Sequence, residues 1–195
     1  MSDPRPVTPD PEAISSFLKI IGGDLHLCSI VPDGDRCKGK WFGDDAEAAT
    51  TWAMTENEHG KGVYWTVNCV IPGRNKKATK GEIRAARFLH VDVDPPKGLP
   101  CLDKVRAEAE LRALPCPPTM IIDSGGGLQA FWRLDGPADL DAVEALNRHA
   151  AARLGGDHCH SIEHLMRLPG TVNYPNARKR ENGREPSVAK VIHVQ

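Results

Sequence analysis

The sequence of 195 residues has few aromatic side chains, 5% of the chain, and a formal net charge of only −1 at pH 7. A charge so close to zero creates no overall field that would attract nucleic acid, so any such partner must be met by local patches. No apolar run approaches the length that crosses a bilayer, and no signal-peptide core is visible near the first residue. We therefore expect no membrane partner.

The cysteines contain no Cys-x-x-Cys pair, which argues against a zinc ribbon and indicates free thiols in a reducing compartment. We accordingly expect a cytoplasmic protein. The six cysteines are Cys28, Cys37, Cys69, Cys101, Cys116 and Cys159.

A P-loop is also missing, since the pattern G-x-x-x-x-G-K-[ST] occurs nowhere. The chain instead has Ser-Gly-Gly-Gly at residues 124–127, called the glycine turn below. Gly125 and Gly126 offer backbone N–H groups without side chains in the way, and Ser124 and the nearby Gln129 add side-chain donors, so the turn can form a nest for phosphate oxygens. An ordinary hairpin turn explains the same residues, and both interpretations stay open.

The alternation of residues 87–95 predicts a β-strand whose two faces differ. Leu89 and Val91 share the face suited to a core, whereas His90, Asp92 and Asp94 share the other. Two carboxylates so close together disfavour each other's ionisation unless a cation lies between them. Pro95 and Pro96 are expected to end the strand. A strand that runs into an acidic loop is the alternative.

The remaining periodicities predict helices alternating with strands in one domain of the α+β class, with a mixed or antiparallel sheet of the ferredoxin or RNA-recognition-module type. We expect an N-terminal lobe over residues 10–75 and a core over residues 82–195. Predicted helices cover about residues 11–21, 46–58, 102–114 and 139–154, with a short one before residue 166. Asp10 is expected to cap the first helix, and Asp44 or Asp45 the second, after a turn rich in glycine and lysine. The apolar face of the first helix is predicted to contain Ile14, Phe17, Leu18 and Ile21, and that of the fourth Leu140, Val143, Leu146, Ala150 and Leu154. Predicted strands cover residues 25–31, 62–70, 120–123, 128–134 and 188–194.

Basic side chains concentrate in the segment of residues 74–80, called the basic connector below, and recur at residues 178–180. Such side chains follow a nucleic-acid backbone by charge, although a solvated surface explains any run of charges. The candidates are Arg74, Lys76, Lys77, Lys80, Arg178 and Lys179.

Residues 157–164 carry many metal-ligand types and permit four interpretations. His160 and His164 match the H-x-x-E-H motif of metallopeptidases, which requires a long helix. His158 and His160 resemble the metal site of rolling-circle nicking enzymes, with Tyr174 as the nucleophile. A polar loop is the third interpretation. In the fourth, Glu163 on a short helix joins Asp92 and Asp94 as a third acid.

Three ordered motifs resemble those of the archaeo-eukaryotic primase superfamily, and are most similar to the primase-polymerases of phages and integrated mobile elements. The first is Val-Asp-Val-Asp-Pro at residues 91–95. The second is Ser-Gly-Gly-Gly-Leu-Gln-Ala-Phe-Trp at residues 124–132, and the third is Ile-Glu-His-Leu-Met-Arg-Leu-Pro-Gly-Thr-Val-Asn at residues 162–173.

The resemblance implies that Asp92, Asp94 and Glu163 are the catalytic metal ligands for two divalent ions, Mg²⁺ or Mn²⁺. It implies that the incoming nucleotide lies against a second set of residues. These are Ser124, Gly125, Gly126, Gln129, Arg167 and Asn173. Two departures from the family pattern matter: Gln129 stands where histidine is usual, and Glu163 stands where aspartate is more frequent, with Asp157 as the alternative third acid.

The predicted activity is template-dependent nucleotidyl transfer, as a DNA primase and polymerase, on single-stranded DNA with a primer strand and NTP or dNTP. Two divalent ions held by carboxylates activate the 3′-hydroxyl and neutralise the triphosphate. Relatives join such a domain to helical and helicase domains, so we expect an N-terminal piece of a longer replication protein. A nicking initiator that uses Tyr174 and a non-catalytic module that binds single strands remain as alternatives.

Overall fold

The computed structural model describes residues 7–95, 99 and 101–195. Its helices are α1 Pro11–Ile21, α2 Ala46–Glu58, α3 Lys104–Arg112, α4 Leu140–Leu154 and α5 Ala177–Glu181. Its strands are β1 Leu25–Ile30, β2 Cys37–Gly43, β3 Gly62–Thr66, β4 Cys69–Val70, β5 Ile83–Ala85, β6 Phe88–Val93, β7 Met120–Asp123, β8 Leu128–Arg133, β9 Leu165–Arg167, β10 Val172–Asn173, β11 Ser187–Val188 and β12 Lys190–Val194. None of the helices in the described ranges combines the length and the apolar character that a bilayer span requires.

Two four-stranded antiparallel sheets organise the molecule, which confirms the α+β prediction. The first sheet has the order β2-β1-β3-β9 and the second the order β12-β7-β8-β6. Trp65 of the first sheet packs against Phe88 and Phe131 of the second, in one core that also receives α1. The opposite face of the second sheet, including Val91, packs with α3 and α4. Strand β6 therefore lies in the middle layer of three and is covered on both faces.

Helix starts and the amphipathic pattern of α1 are as the sequence predicts. Asp10 caps α1 by accepting a hydrogen bond from the N–H of Ala13, and Asp45 caps α2 in the same way. Both caps satisfy an N–H group that has no partner within its helix. The side chains of α1 at the predicted spacing are buried. They are Ile14, Phe17, Leu18 and Ile21.

Three local predictions are wrong. Residues 37–43, expected to be a turn, form the edge strand β2. The short helix expected before residue 166 is absent from that described segment, and Leu165–Arg167 instead pairs with β3. In α4 the expected apolar stripe includes Leu146, but that side chain is 53% exposed and Asn147 faces inward. Asn147 is buried because its carbonyl accepts the N–H of His90 and its amide contacts the ring nitrogen of His90.

The buried His90 makes the fold sensitive to acid. Burial, together with the positive charge of His164, lowers the pKa of His90 to about 3, well below the value near 6.5 in the unfolded chain. The unfolded state therefore binds an extra proton between these values, so the stabilisation is complete above pH 6.5 and is lost as pH falls towards 3. We expect His90→Gln to flatten the fall in unfolding free energy between pH 6.5 and 4 by up to about 1.4 kcal/mol per pH unit. Urea denaturation at several pH values measures the unfolding free energy and its slope against pH. The control is His149→Gln at an exposed position, which should leave that slope as it is in the wild type.

Candidate active site

Asp92 lies at the end of β6, on the face that is directed towards the first sheet. The strand ends at Val93, just before Pro95, and Pro96 lies outside the described residues. Asp92 is paired across the strands with Gln129, whose Nε2 lies 3.4 Å from the Asp92 Oδ2. The other oxygen, Oδ1, is buried and has no hydrogen-bond partner among the described residues.

The electrostatic environment of Asp92 favours its neutral form unless a cation is present. Burial and the neighbouring charges of Asp94 and Asp157 raise its pKa to about 7, while the amide of Gln129 and the ammonium of Lys179 oppose the rise. A carboxylate that is buried with like charges beside it is destabilised when ionised, and a bound cation reverses that penalty.

Asp94 lies directly against the glycine turn. A Cβ atom placed on Gly127 would collide with the carbonyl of Val93 and come within 2.8 Å of the Asp94 Oδ1. The turn is closed by the N–H of Ser124, which donates to the carbonyl of Gly127 at 3.0 Å. The Ser124 hydroxyl accepts the N–H of Gly127 and donates to the same residue's carbonyl, so it serves the turn itself. Glycine at position 127 therefore brings the turn and the acidic pair into contact.

We expect Gly127→Ala to displace Asp94 and to reduce any activity of the site by about tenfold to a hundredfold, in keeping with the effect of misplacing a reacting group. Gly136→Ala is the matched control, because a Cβ atom there meets nothing within 4 Å. Nucleotide incorporation and thermal unfolding measured on both variants test the expectation. Equal incorporation by the two variants would contradict it.

A continuous hydrogen-bond network joins Asp92 to the glycine turn through residues from both sheets. The carbonyl oxygen of the Gln129 side chain accepts the N–H of Arg167 at 3.1 Å. The Arg167 Nη2 donates to the Asn173 Oδ1 at 2.9 Å, and the Asn173 Nδ2 donates to the carbonyl of Ser124 at 2.7 Å. The structure thus brings together five of the residues that the sequence assigned to the site, from motifs far apart in the chain.

Arg167 is held rigidly within this network. Its guanidinium carbon lies 4.1 Å from the ring centroid of Tyr64, and its Nη2 donates to the Tyr64 hydroxyl at 2.7 Å. Its Nη1 is buried and makes no hydrogen bond within the described chain. Desolvation by burial lowers the pKa of Arg167. A buried guanidinium with a free N–H group can receive an anionic ligand without reorganisation.

The predicted third acid, Glu163, lies in a different local structure from the one that the sequence predicts. Glu163 lies in the turn before β9 rather than on a helix, and its Oε2 is buried without a partner among the described residues. Asp157 donates its N–H to the carbonyl of Asp92 at 2.9 Å, and its charge helps to raise the pKa of Asp92. No group of three or more potential metal ligands clusters within the described ranges. The structure places the Asp157 backbone against Asp92, and both Glu163 and Asp157 stay predictions for the third acid.

The two candidates for the third acid are distinguished by isosteric amides. If Asp157 completes the site, Asp157→Asn should lower nucleotide incorporation by about 10²-fold or more, on the scale of a lost charge interaction in the transition state. Glu163→Gln should then have less than about a threefold effect. Steady-state incorporation by both variants tests this, and the reverse ranking would assign the role to Glu163.

The alternative motifs fit the structure less well. Residues 160–164 form a turn instead of the helix that a metallopeptidase motif needs. His164 stacks on the buried His90 with ring centroids 5.9 Å apart. Burial, reinforced by the charge of Glu58, raises the pKa of Tyr174, which disfavours the phenolate that a nicking nucleophile requires.

The six basic candidates divide by their contacts. Arg74 forms an ion pair with Glu82, and Lys80 forms ion pairs with two acidic residues of α4. Lys76 and Lys77 are exposed, and so are Arg178 and Lys179 on α5. Lys179 is close enough to lower the pKa of Asp92 by its charge. The two segments therefore differ in what the structure shows, since the charge of Lys179 on α5 lowers the pKa of Asp92.

Arg184 is a site residue that the sequence did not reveal. Its Nη2 lies 3.4 Å from the carbonyl of Gly126, and a Cβ atom on Gly126 would come within 2.5 Å of its Nη1. The feature of the sequence that could have indicated Arg184 is its position shortly after the basic residues 178–180. Arg184 places a guanidinium over the glycine turn.

Comparison with known proteins identifies the fold and the family. An acidic pair at the end of strand β6, set against a glycine turn between two antiparallel sheets, occurs here in a domain of the archaeo-eukaryotic primase type. The model of the RepB DNA-primase N-terminal domain matches residues 44–193, and the chain belongs to this family. Comparison with curated proteins returns no significant match.

Solved structures of primases superpose on most of the chain. The AEP domain of the cyanophage S-2L primase-polymerase has a TM-score of 0.69 and 17% identity, and the match covers 97% of this chain and 92% of that one. Primase RepB′ has a TM-score of 0.65 and 15% identity, over 94% of this chain and 56% of that one. The RepB′ catalytic domain in complex with initiator DNA has a TM-score of 0.64 and 15% identity, and the match covers 94% of this chain and 84% of that one. At these identities the superpositions show the shared fold.

Proposed function

We propose that this domain catalyses template-directed nucleotidyl transfer on single-stranded DNA, as the primase-polymerase of a phage or mobile-element replication protein. The observation that carries the proposal is the acidic pair. Asp92 has a buried oxygen with no partner among the described residues and a pKa raised to about 7, and Asp94 lies beside it against the glycine turn. Family membership gives the reaction class, and the pair supplies a place where that chemistry can occur.

The donor set at this place fits Mg²⁺ or Mn²⁺. Hard divalent cations take carboxylate oxygens as ligands, and the orphaned Oδ1 of Asp92 is such a donor next to a second carboxylate. Asp92, Asp94 and either Asp157 or Glu163 would hold the cations. When bound, such ions lower the pKa of the attacking 3′-hydroxyl and neutralise charge that develops on the triphosphate.

The other residues of the site bind and orient the nucleotide. Arg167 is fixed by Tyr64 and Asn173, so its Nη1, which has no hydrogen bond to any described residue, can receive a phosphate oxygen without loss of side-chain freedom. Gln129 acts as a positioning residue, because its amide joins the Asp92 carboxylate to the backbone of Arg167. Gln129 carries no proton that titrates near neutral pH, so phosphate charge must be met by arginine and lysine.

Phosphate charge has further cationic partners beside the glycine turn. Arg184 reaches over Gly126, and Lys179 acts on Asp92 through its charge. We assign both to the triphosphate of the incoming nucleotide. We assign the exposed Lys76, Lys77 and Arg178 to the DNA backbone, whose contacts with lysine and arginine depend on salt. A related catalytic domain, that of RepB′, has been solved with initiator DNA, which supports a DNA partner.

A primer-extension assay tests the proposal. The protein is incubated with a single-stranded DNA template, with or without an annealed primer, in Mg²⁺ or Mn²⁺ and with labelled dNTP or NTP. Products that lengthen by template-directed additions are expected, and they should disappear with a chelator. Retention of the template on the protein without any incorporation under all these conditions would favour a binding module and contradict the proposal.

A further inference from the structure

Two cysteines lie side by side on the first sheet, away from the acidic pair. The strand register places Cys28 of β1 opposite Gly39 of β2 and Ile30 opposite Cys37. Residues opposite each other share a face and alternate residues return to it, so Cys28 and Cys37 are diagonal neighbours on one face. The effect that each thiol has on the pKa of the other agrees with this placement on one face.

The environments of the two thiols differ in the way that a reactive pair requires. Cys28 is fully buried, whereas Cys37 is half-buried, the first residue of an edge strand and accessible to a small reagent. The hydrogen bond from Cys28 and the charge of Lys77 lower the pKa of Cys37 to about 7, although burial opposes this. The same pair raises the pKa of Cys28. Cys37 is therefore the attacking thiolate and Cys28 the resolving thiol.

We propose that Cys28 and Cys37 form a redox-active dithiol that closes to a disulfide with glutathione disulfide. The Cys37 thiolate attacks one sulfur of the oxidant, forms a mixed disulfide and expels a glutathione thiolate. The Cys28 sulfur then attacks the Cys37 sulfur, expels the second glutathione and gives up its proton. Two protein thiols are oxidised by two electrons, and one glutathione disulfide is reduced to two glutathione molecules.

Closure requires a small movement that the strand permits. Diagonal neighbours in an antiparallel pair have Cα atoms roughly 7–8 Å apart, and a disulfide needs about 4.4–6.8 Å. Cys37 is the first residue of β2 and pairs with Ile30 at the end of the β1–β2 ladder, so its backbone can leave that terminal pair and move towards Cys28 without breaking an interior ladder.

The basic connector lies over this cysteine face. The His26 ring bonds the carbonyl of Lys76 at 3.0 Å, and the backbone at Lys76 and Lys77 packs so tightly on Gly39 that a Cβ there would collide with it. The connector therefore contacts both β1, through His26, and β2, through Gly39. A disulfide between these strands would hold the two contacts together and reduce local opening of the edge strand β2. We therefore expect oxidation to slow cleavage of the connector by trypsin at Lys76 and Lys77.

The test uses the full chain with its two exposed cysteines removed, Cys101→Ser and Cys116→Ser. Six cysteines then become four. After treatment with glutathione disulfide, alkylation and denaturation, we expect two free thiols, a mapped Cys28–Cys37 link, severalfold slower cleavage of the connector, and reversal of each by a thiol reductant. When Cys37→Ser is added to this background, Cys28 should be recovered as a free thiol. When Cys159→Ser is added instead, the Cys28–Cys37 disulfide should still form.

Three outcomes would overturn the inference. They are full recovery of Cys28 as the free thiol, a link from Cys28 to another cysteine, and accumulation of Cys37 as the glutathione adduct. Unchanged trypsin cleavage in protein that contains the link would refute its effect on the connector. None of these measurements uses nucleotide or DNA, so they are independent of the proposed polymerase activity.

Discussion

An Asp92→Asn variant is expected to incorporate no nucleotide above background and, at the same time, to be more stable than the wild type. The loss follows because the amide carries no charge for a divalent ion, and we expect a decrease of at least about 10³-fold, roughly 4 kcal/mol in the activation free energy. The gain follows because the wild-type carboxylate is buried beside Asp94 and Asp157. Catalytic residues commonly reduce stability in this way.

The gain in stability should have a defined pH dependence. The folded pKa of Asp92 is raised to about 7, above the value near 3.8 in the unfolded chain. Below pH 3.8 both states are protonated and the variant has no advantage. Between pH 4 and 7 the advantage grows, and above pH 7 it is complete, on the order of 2 kcal/mol after allowance for partial exposure.

The control for Asp92→Asn is the exposed Asp135→Asn, which should leave both activity and stability unchanged. Thermal unfolding at pH 5 and pH 8 and primer extension in Mg²⁺ and in Mn²⁺ give the required comparison. Activity that survives Asp92→Asn, or a loss that comes with destabilisation at pH 8, would contradict the role given to this carboxylate.

Arg167→Lys is expected to reduce incorporation by about 10²-fold or more, although the charge is kept. A lysine cannot stack its planar cation on Tyr64 while it bonds both the Tyr64 hydroxyl and Asn173. The fall should appear in kcat/KM for the nucleotide, since this residue is assigned to the triphosphate. Arg148→Lys, on the exposed face of α4, is the matched control and should be silent.

Tyr64→Phe separates positioning from charge in the same network. This variant keeps the ring below the guanidinium and removes only the hydroxyl that accepts from Nη2. An intermediate loss would support a network that holds Arg167 in place. An effect of Arg167→Lys no greater than that of the Arg148 control would exclude Arg167 from nucleotide binding.

The parts of the fold that the sequence predicted well are those decided by local chemistry. Asp10 caps α1 because a carboxylate accepts the orphan N–H groups of a first turn, and the spacing of Ile14, Phe17 and Leu18 defines one buried face. The hairpin of β7 and β8 follows equally from glycines between two apolar runs. Asp92 and Asp94 stood out because two acids end an otherwise apolar strand.

The parts that the sequence did not predict depend on contacts between distant residues. Strand β2 contains lysines and glycines that disfavour strands, and it forms because β1 supplies its hydrogen bonds. Leu165–Arg167 is too short to show a period, and it is a strand because β3, about a hundred residues earlier, pairs with it. Arg184 reaches Gly126 only in the folded chain, so no pattern around it indicated the contact.

The direct test of the central claim is the position of Mn²⁺ in crystals grown with a non-hydrolysable nucleoside triphosphate, read from anomalous scattering. We predict a manganese peak within coordination distance of carboxylate oxygens of Asp92 and Asp94, with the triphosphate against Gly125 and Gly126 and in contact with Arg167. A metal and nucleotide bound elsewhere, with Asp92 left unligated in the same crystals, would contradict the account.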